Sequence, residues 1–133
     1  MTSQDITGMA GSQAESLLRE LATWGPTTTV IVHGGCVFEF KGPFPSGEPG
    51  EGYYNLEGTY PGFHGHIRLD AIAAIGFQEK LHRGRDSYAF TFTSAGGDTL
   101  FKVFLGRDAD GEIDKQQLAK FRHIRDTRTV SRG

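Results

Sequence analysis

Two glycines, Gly34 and Gly35, separate Thr27-Thr28-Thr29-Val30-Ile31-Val32-His33 from Cys36-Val37-Phe38-Glu39-Phe40-Lys41. Neither run has helical spacing. The first is almost entirely β-branched, and the second alternates apolar with charged residues from Phe38 onward. Side chains of these types suit a pleated, half-buried surface. Glycine accepts the positive φ angles of a primed turn without steric cost. The segment therefore predicts an antiparallel hairpin with a two-residue loop, in which His33 faces Cys36, Ile31 faces Phe38 and Thr29 faces Phe40. Alternation then puts His33 on the same face as Ile31, Phe38 and Phe40, an imidazole beside an apolar surface.

The rest of the chain repeats this grammar, with 19 glycines and 10 phenylalanines among 133 residues. That combination points to short strands divided by turns. Tyr53–Leu56, Phe63–Leu69, Tyr88–Phe92 and Leu100–Phe104 read as strands, the last two joined at Gly96-Gly97. Ala71–Glu79 reads as a strand by its Ile75/Phe77 alternation, although its alanines also suit a helix. In the Phe63–Leu69 segment Phe63, Ile67 and Leu69 share one face, and His64, His66 and Arg68 share the other. Gly42–Gly50, with three prolines and three glycines, reads as a loop.

Helices are expected near both ends. Ser12 and Glu15 form a capping box ahead of Leu17, Leu18, Leu21 and Trp24, and Gly25-Pro26 stops that helix. Asp114 caps a second helix with Gln117 at its third position, Ile113 and Leu118 have staple spacing, and Leu118, Phe121 and Ile124 form its apolar stripe. The expected fold is α+β, an antiparallel sheet of six or seven strands with flanking N- and C-terminal helices. Residues 1–11 are expected to be a disordered lead, residues 12–126 a single domain, and residues 127–133 a polar tail.

Composition excludes several classes. The chain carries 14 basic and 16 acidic side chains, a net charge of −2, so it lacks the basic excess of a non-specific nucleic-acid binder. No apolar run suits membrane insertion, and the first residues lack the basic and apolar regions of a signal peptide. Cys36 is the single cysteine, which rules out an internal disulfide and multi-cysteine metal sites. A cytoplasmic protein is the expectation.

Few constellations carry chemistry on spacing alone. Asp108-Ala109-Asp110-Gly111 misaligns with a calcium loop and reads as a turn closed by Asx side chains. His64 and His66 lack further ligands at zinc spacing. Cys36 faces His33 but has no activating helix terminus, so it reads as structural. A histidine near apolar side chains is usually a core or edge residue. His33 keeps a second use, because imidazole nitrogen is a good donor to the iron of a flat apolar ligand. Arg68, Lys80, Arg83, Arg85 and Lys102 could meet the carboxylates of such a ligand.

Six segments then suggest a family: Trp24-Gly25, Thr28 to His33, Val37 to Gly42, Gly52-Tyr53-Tyr54-Asn55-Leu56, Gly65-His66-Ile67-Arg68 and Phe101 to Asp108. In order and spacing, from about Leu17 to Arg125, they resemble the ChuX/HutX family of intracellular haem-utilisation carriers. The resemblance implies a subunit like one half of the larger HemS/ChuS proteins, and a homodimer that imitates both halves. It also implies haem-iron ligation by His33 or His66, with Tyr53 as the alternative. Phe38 and Phe40 would contact the macrocycle, and Arg68 would pair with a propionate. Haem would be a transported ligand received from a donor protein and passed to an acceptor. The chain departs from the family pattern in its short N-terminal portion. It departs again in Lys80-Leu81-His82-Arg83-Gly84-Arg85, where an apolar lip is replaced and His82 becomes a possible ligand. Two rival readings accompany the carrier: a haem-degrading enzyme, and a dimeric interaction module that no longer binds haem.

Overall fold

The computed structural model describes residues 7–58, 61–81, 85–128 and 130–131. Its strands are β1 (Thr7–Ala10), β2 (Pro26–His33), β3 (Cys36–Pro43), β4 (Gly47–Gly50), β5 (Tyr53–Leu56), β6 (Gly65–Ile67), β7 (Ala74–Lys80), β8 (Ser87–Thr93), β9 (Thr99–Phe104) and β10 (Val130–Ser131). Its α-helices are α1 (Ala14–Leu21) and α2 (Lys115–Arg128). Seven strands form one antiparallel sheet in the order β10-β1-β7-β8-β9-β2-β3, and β4-β5-β6 form a smaller one. The α+β architecture is the one the sequence predicts.

The β2–β3 hairpin has the expected register, with Thr29 opposite Phe40, Ile31 opposite Phe38 and His33 opposite Cys36. Gly34 and Gly35 take φ angles of 58° and 83°, left-handed values that let the chain reverse in two residues. Both helices pack on the sheet face that carries Phe77, Tyr88, Phe90 and Phe92. From α2, Phe121 meets Phe77, Tyr88 and Phe90 at ring distances of 5.4, 5.8 and 4.9 Å. Trp24, just after α1, meets Phe90 at 5.8 Å. Leu17, Leu18 and Leu21 are fully buried, because their spacing gathers them on one stripe of α1.

The start of α2 is built as expected, with Asp114 Oδ1 accepting from the Gln117 amide at 3.0 Å. Gln117 does more than the sequence implies. Its buried side chain donates to the Trp24 and Pro26 carbonyls at 3.0 and 2.9 Å and accepts from the Gly106 amide at 2.7 Å. One amide thus ties α2 to the α1–β2 connection and to the chain leaving β9.

Five local expectations are corrected. Within the expected disordered lead, Thr7–Ala10 is a strand, because β7 and β10 supply its partners from far along the chain. Ser12 and Glu15 form no capping box: a 3₁₀ turn at Gly11–Gln13 delays the helix, and Glu15 pairs with Arg19 at 2.8 Å instead. Within Gly42–Gly50, β3 extends to Pro43 and Gly47–Gly50 forms β4. As an edge strand, β4 tolerates Pro49. The strand read at Phe63–Leu69 shortens to Gly65–Ile67, with Leu69–Ala71 a 3₁₀ turn. The tail expected from residue 127 is helical through Arg128 and pairs with β1 at Val130–Ser131.

Candidate functional site

β2 is hydrogen-bonded to β9 only from Thr28 to Val30, whereas its pairing with β3 continues to the turn. Residues 31–38 therefore extend past the sheet as a two-stranded ribbon. The ribbon is apolar on both sides. Phe38 is 54% exposed on one face, and the cross-strand pair Val32 and Val37 are 61% and 58% exposed on the other. Toward the base, Phe40 stacks on Phe63 at 4.8 Å, and Phe44 meets Phe63 edge-on at 5.7 Å. His33 is exposed at the ribbon end, on the Ile31/Phe38/Phe40 side as the alternation requires. Cys36 opposite it is exposed and free, so it does not play the structural part expected of it.

The smaller sheet supplies the second group of donors. Tyr54 and Leu56 face the core, which turns Tyr53 and Asn55 outward. Asn55 pairs with His66 across β5–β6, and Ile67 is packed inward as predicted. His66 Nδ1 lies 2.7 Å from Asn55 Oδ1, and the Tyr53 and His66 rings meet edge-on at 5.9 Å. Arg68 follows on the same side by alternation. It pairs with Asp70 at 3.2 Å, a contact that holds the guanidinium above its ordinary pKa and so fully charged. Both partners are well exposed, so the pair contributes little stability, and another carboxylate can displace Asp70.

β4 shapes this group from below. A Cβ at Gly47 would stand 2.7 Å from the Tyr54 ring, and a Cβ at Gly50 would stand 3.2 Å from the Asn55 amide nitrogen. The glycines that made this segment read as a loop leave room for a buried ring and an anchored amide.

The structure thus brings Phe38 and Phe40 onto the His33 side of the ribbon, and groups Tyr53, His66 and Arg68 on the small sheet. Among the described residues no hydrogen bond or ring contact joins the two groups. Sequence reasoning passed over Asn55, which lies within the quoted Tyr53-Tyr54-Asn55-Leu56 segment. The signal available was alternation: two residues after Tyr53, it must share that outward face. A cleft of about 650 Å³ lies on the ribbon's Val30/Glu39/Lys41 side and reaches Phe104 and Arg107; it holds Arg85, one of the candidate carboxylate partners, but none of the candidate iron ligands. The Asp108 turn is closed as expected, with Oδ1 accepting from the Asp110 and Glu112 amides at 2.9 and 3.0 Å. No group of three potential metal-binding side chains occurs among the described residues, and no described helix is long and apolar enough to cross a membrane. His82 and Arg83 lie outside the described residues.

Residues 7–124 match the family model for haem utilisation ChuX/HutX. The chain is 42% identical to the intracellular heme transport protein HutX of Vibrio cholerae over 112 residues, covering 84% of this chain and 58% of HutX. A protein of known structure from Erwinia carotovora superposes with a TM-score of 0.85 at 31% identity, over 92% of this chain and 76% of that one. The heme binding protein ChuX superposes with a TM-score of 0.83 at 27% identity, over 91% of this chain and 76% of ChuX.

Proposed function

The chain belongs to the ChuX/HutX haem-utilisation family, and from that premise we propose that it is an intracellular haem carrier, haem being cargo rather than resident cofactor. The observation that carries this reading is the exposure of the donors. His33, His66 and Tyr53 all reach solvent, and so do the Phe38 and Phe40 rings. A porphyrin laid on such a surface buries aromatic area, at roughly 25 cal/mol per Å² of apolar surface. Imidazole nitrogen or phenolate oxygen ligates the iron, and Arg68 exchanges Asp70 for a propionate. An open site of this kind also releases its cargo without unfolding, as a carrier between donor and acceptor proteins requires.

Titration with haemin tests the reading. A saturable Soret shift is expected, and either His33→Ala or His66→Ala should alter the ferric spectrum while the fold is kept. A featureless, non-saturating titration would leave the interaction-module reading in its place. Unchanged spectra in both single variants and in the double variant would move the ligand to Tyr53. Reductant in air separates carrier from degrading enzyme, since only the enzyme loses the Soret band and frees iron.

The proposed assembly is a homodimer, and the ribbon supports it. Two strands with apolar side chains on both faces have little stability alone, and exposed apolar patches of this kind mark interfaces. The Val32/Val37 face is the surface assigned to the second copy. Light scattering of Val37→Lys should give a monomer mass where the parent gives a dimer. A parent that is monomeric at micromolar concentration, with and without haem, would refute the assembly.

A further inference from the structure

We infer that Asn55 is a positioning residue that selects the tautomer of His66, so that Nε2 is the nitrogen offered to the haem iron. The inference rests on the haem-carrier reading for its ligand, but its first step concerns the protein alone. The Asn55 amide is oriented by its surroundings. Its Nδ2 donates to the Gly50 carbonyl at 3.1 Å and the Glu48 carbonyl at 3.3 Å. Flipping the amide would point its oxygen at both carbonyls, so the donor end is fixed toward β4. Oδ1 is thereby left facing His66 Nδ1 at 2.7 Å. An oxygen with no hydrogen can only accept, so Nδ1 must carry the proton. In the neutral imidazole the other nitrogen, Nε2, then keeps its lone pair.

The ring is held from a second side by the edge of Tyr53, 5.9 Å between centroids. His66 is exposed, so the free nitrogen is open to a ligand from solvent. A histidine that binds iron works best when its second nitrogen donates to a fixed acceptor, which sets the tautomer, orients the ring and raises ligand basicity. Asn55 meets that requirement before any ligand arrives. The backbone of β4 holds the amide, the amide holds the imidazole, and the imidazole presents one atom. Gly50 belongs to the same device, because a Cβ there would stand 3.2 Å from the amide nitrogen.

Long-range proton–nitrogen NMR on the haem-free protein reads the tautomer directly. The parent should show His66 protonated at Nδ1. Asn55→Ala should shift it toward the Nε2-protonated form, and Asn55→Asp, which still accepts from Nδ1 but sets its second oxygen against the Gly50 and Glu48 carbonyls, should keep Nδ1 protonated at a cost in stability. In haemin titrations Asn55→Ala should weaken binding about 10- to 100-fold and broaden the ferric spectrum, with Asn55→Asp nearer the parent. A parent tautomer protonated at Nε2, or one indifferent to Asn55→Ala, overturns the inference and leaves the carrier reading intact if His66→Ala still changes the spectrum. A haem spectrum unaffected by His66→Ala overturns the ligand role of His66 and the inference with it, whatever the tautomer.

Discussion

His66 and Asn55 stand opposite one another on adjacent strands, imidazole Nδ1 to amide Oδ1 at 2.7 Å, while their chain neighbours Ile67 and Tyr54 form the next pair and turn inward. Strand register therefore decides whether a histidine or an isoleucine faces solvent here. A slip of one residue would bury the imidazole and expose Ile67. The buried Tyr54 side chain opposes that slip from β5, so the donor group inherits its position from the packing of the core.

Phe38 and Phe40 should separate binding from folding. Phe38 is 54% exposed in the free protein, so Phe38→Ala should change stability by no more than about 0.5 kcal/mol. Phe40 stacks on Phe63, and Phe40→Ala should cost about 1–2 kcal/mol in urea denaturation. Each should weaken haemin binding by about tenfold, the value of one aromatic ring's burial on a ligand. Unchanged affinity in Phe38→Ala would remove the ribbon from the haem surface.

Gly47→Ala should destabilise the fold by about 1–3 kcal/mol, because its Cβ would sit 2.7 Å from both the Tyr54 ring and the Asn55 carbonyl oxygen. Gly96→Ala places its Cβ no closer than 3.9 Å to any neighbour and should stay within about 0.5 kcal/mol of the parent. Denaturant midpoints for the two variants check this. Equal midpoints would mean that β4 does not depend on the missing Cβ.

Gln117→Leu should cost about 3 kcal/mol. Leucine matches the volume but leaves the Gly106 amide and the Trp24 and Pro26 carbonyls without their partner, and buried groups without partners are expensive. The haem spectrum should not move, since Gln117 holds β2 at Pro26, the opposite end of that strand from His33. A loss below 0.5 kcal/mol would mean that water replaces the side chain.

Tyr54 sets an alkaline limit. Its hydroxyl is buried with no hydrogen-bond partner among the described residues, and burial raises the phenol above its ordinary pKa, outweighing the pull of the nearby Arg19 guanidinium. From about pH 10 upward the unfolded chain loses a proton that the folded chain keeps. The unfolded state then binds fewer protons, so stability falls as pH rises, while below that range the group contributes nothing. Tyr54→Phe should flatten this fall and should be neutral or slightly more stable at pH 7, within about 1 kcal/mol. Urea denaturation of both proteins at neutral and alkaline pH checks the sign. A variant with the parent's alkaline slope would show that Tyr54 is not the group responsible.

What the sequence determined by itself is what local chemistry can encode. Gly34-Gly35 set the hairpin register, so His33 could be paired with Cys36 and Ile31 with Phe38 without coordinates. Alternation alone put His66 and Arg68 outward against Ile67, and the Asp114 cap was legible because an N-cap needs only the next turn of helix. The tertiary structure decided the rest, wherever the partner lies far along the chain. Thr7–Ala10 has no period of its own and is a strand only because β7 and β10 pair with it. Gly47 and Gly50 look like loop residues until Tyr54 and Asn55 fill the space they leave. Glu15, expected at a capping box, is claimed by Arg19, whose guanidinium also reaches Glu48 at 3.4 Å. The division of the donors, His33 on a ribbon and His66 held by Asn55 on a separate sheet, was likewise beyond sequence spacing. Alternation fixes which face a side chain takes within its own strand, whereas the distance between two strands of different sheets is set by the core packed between them.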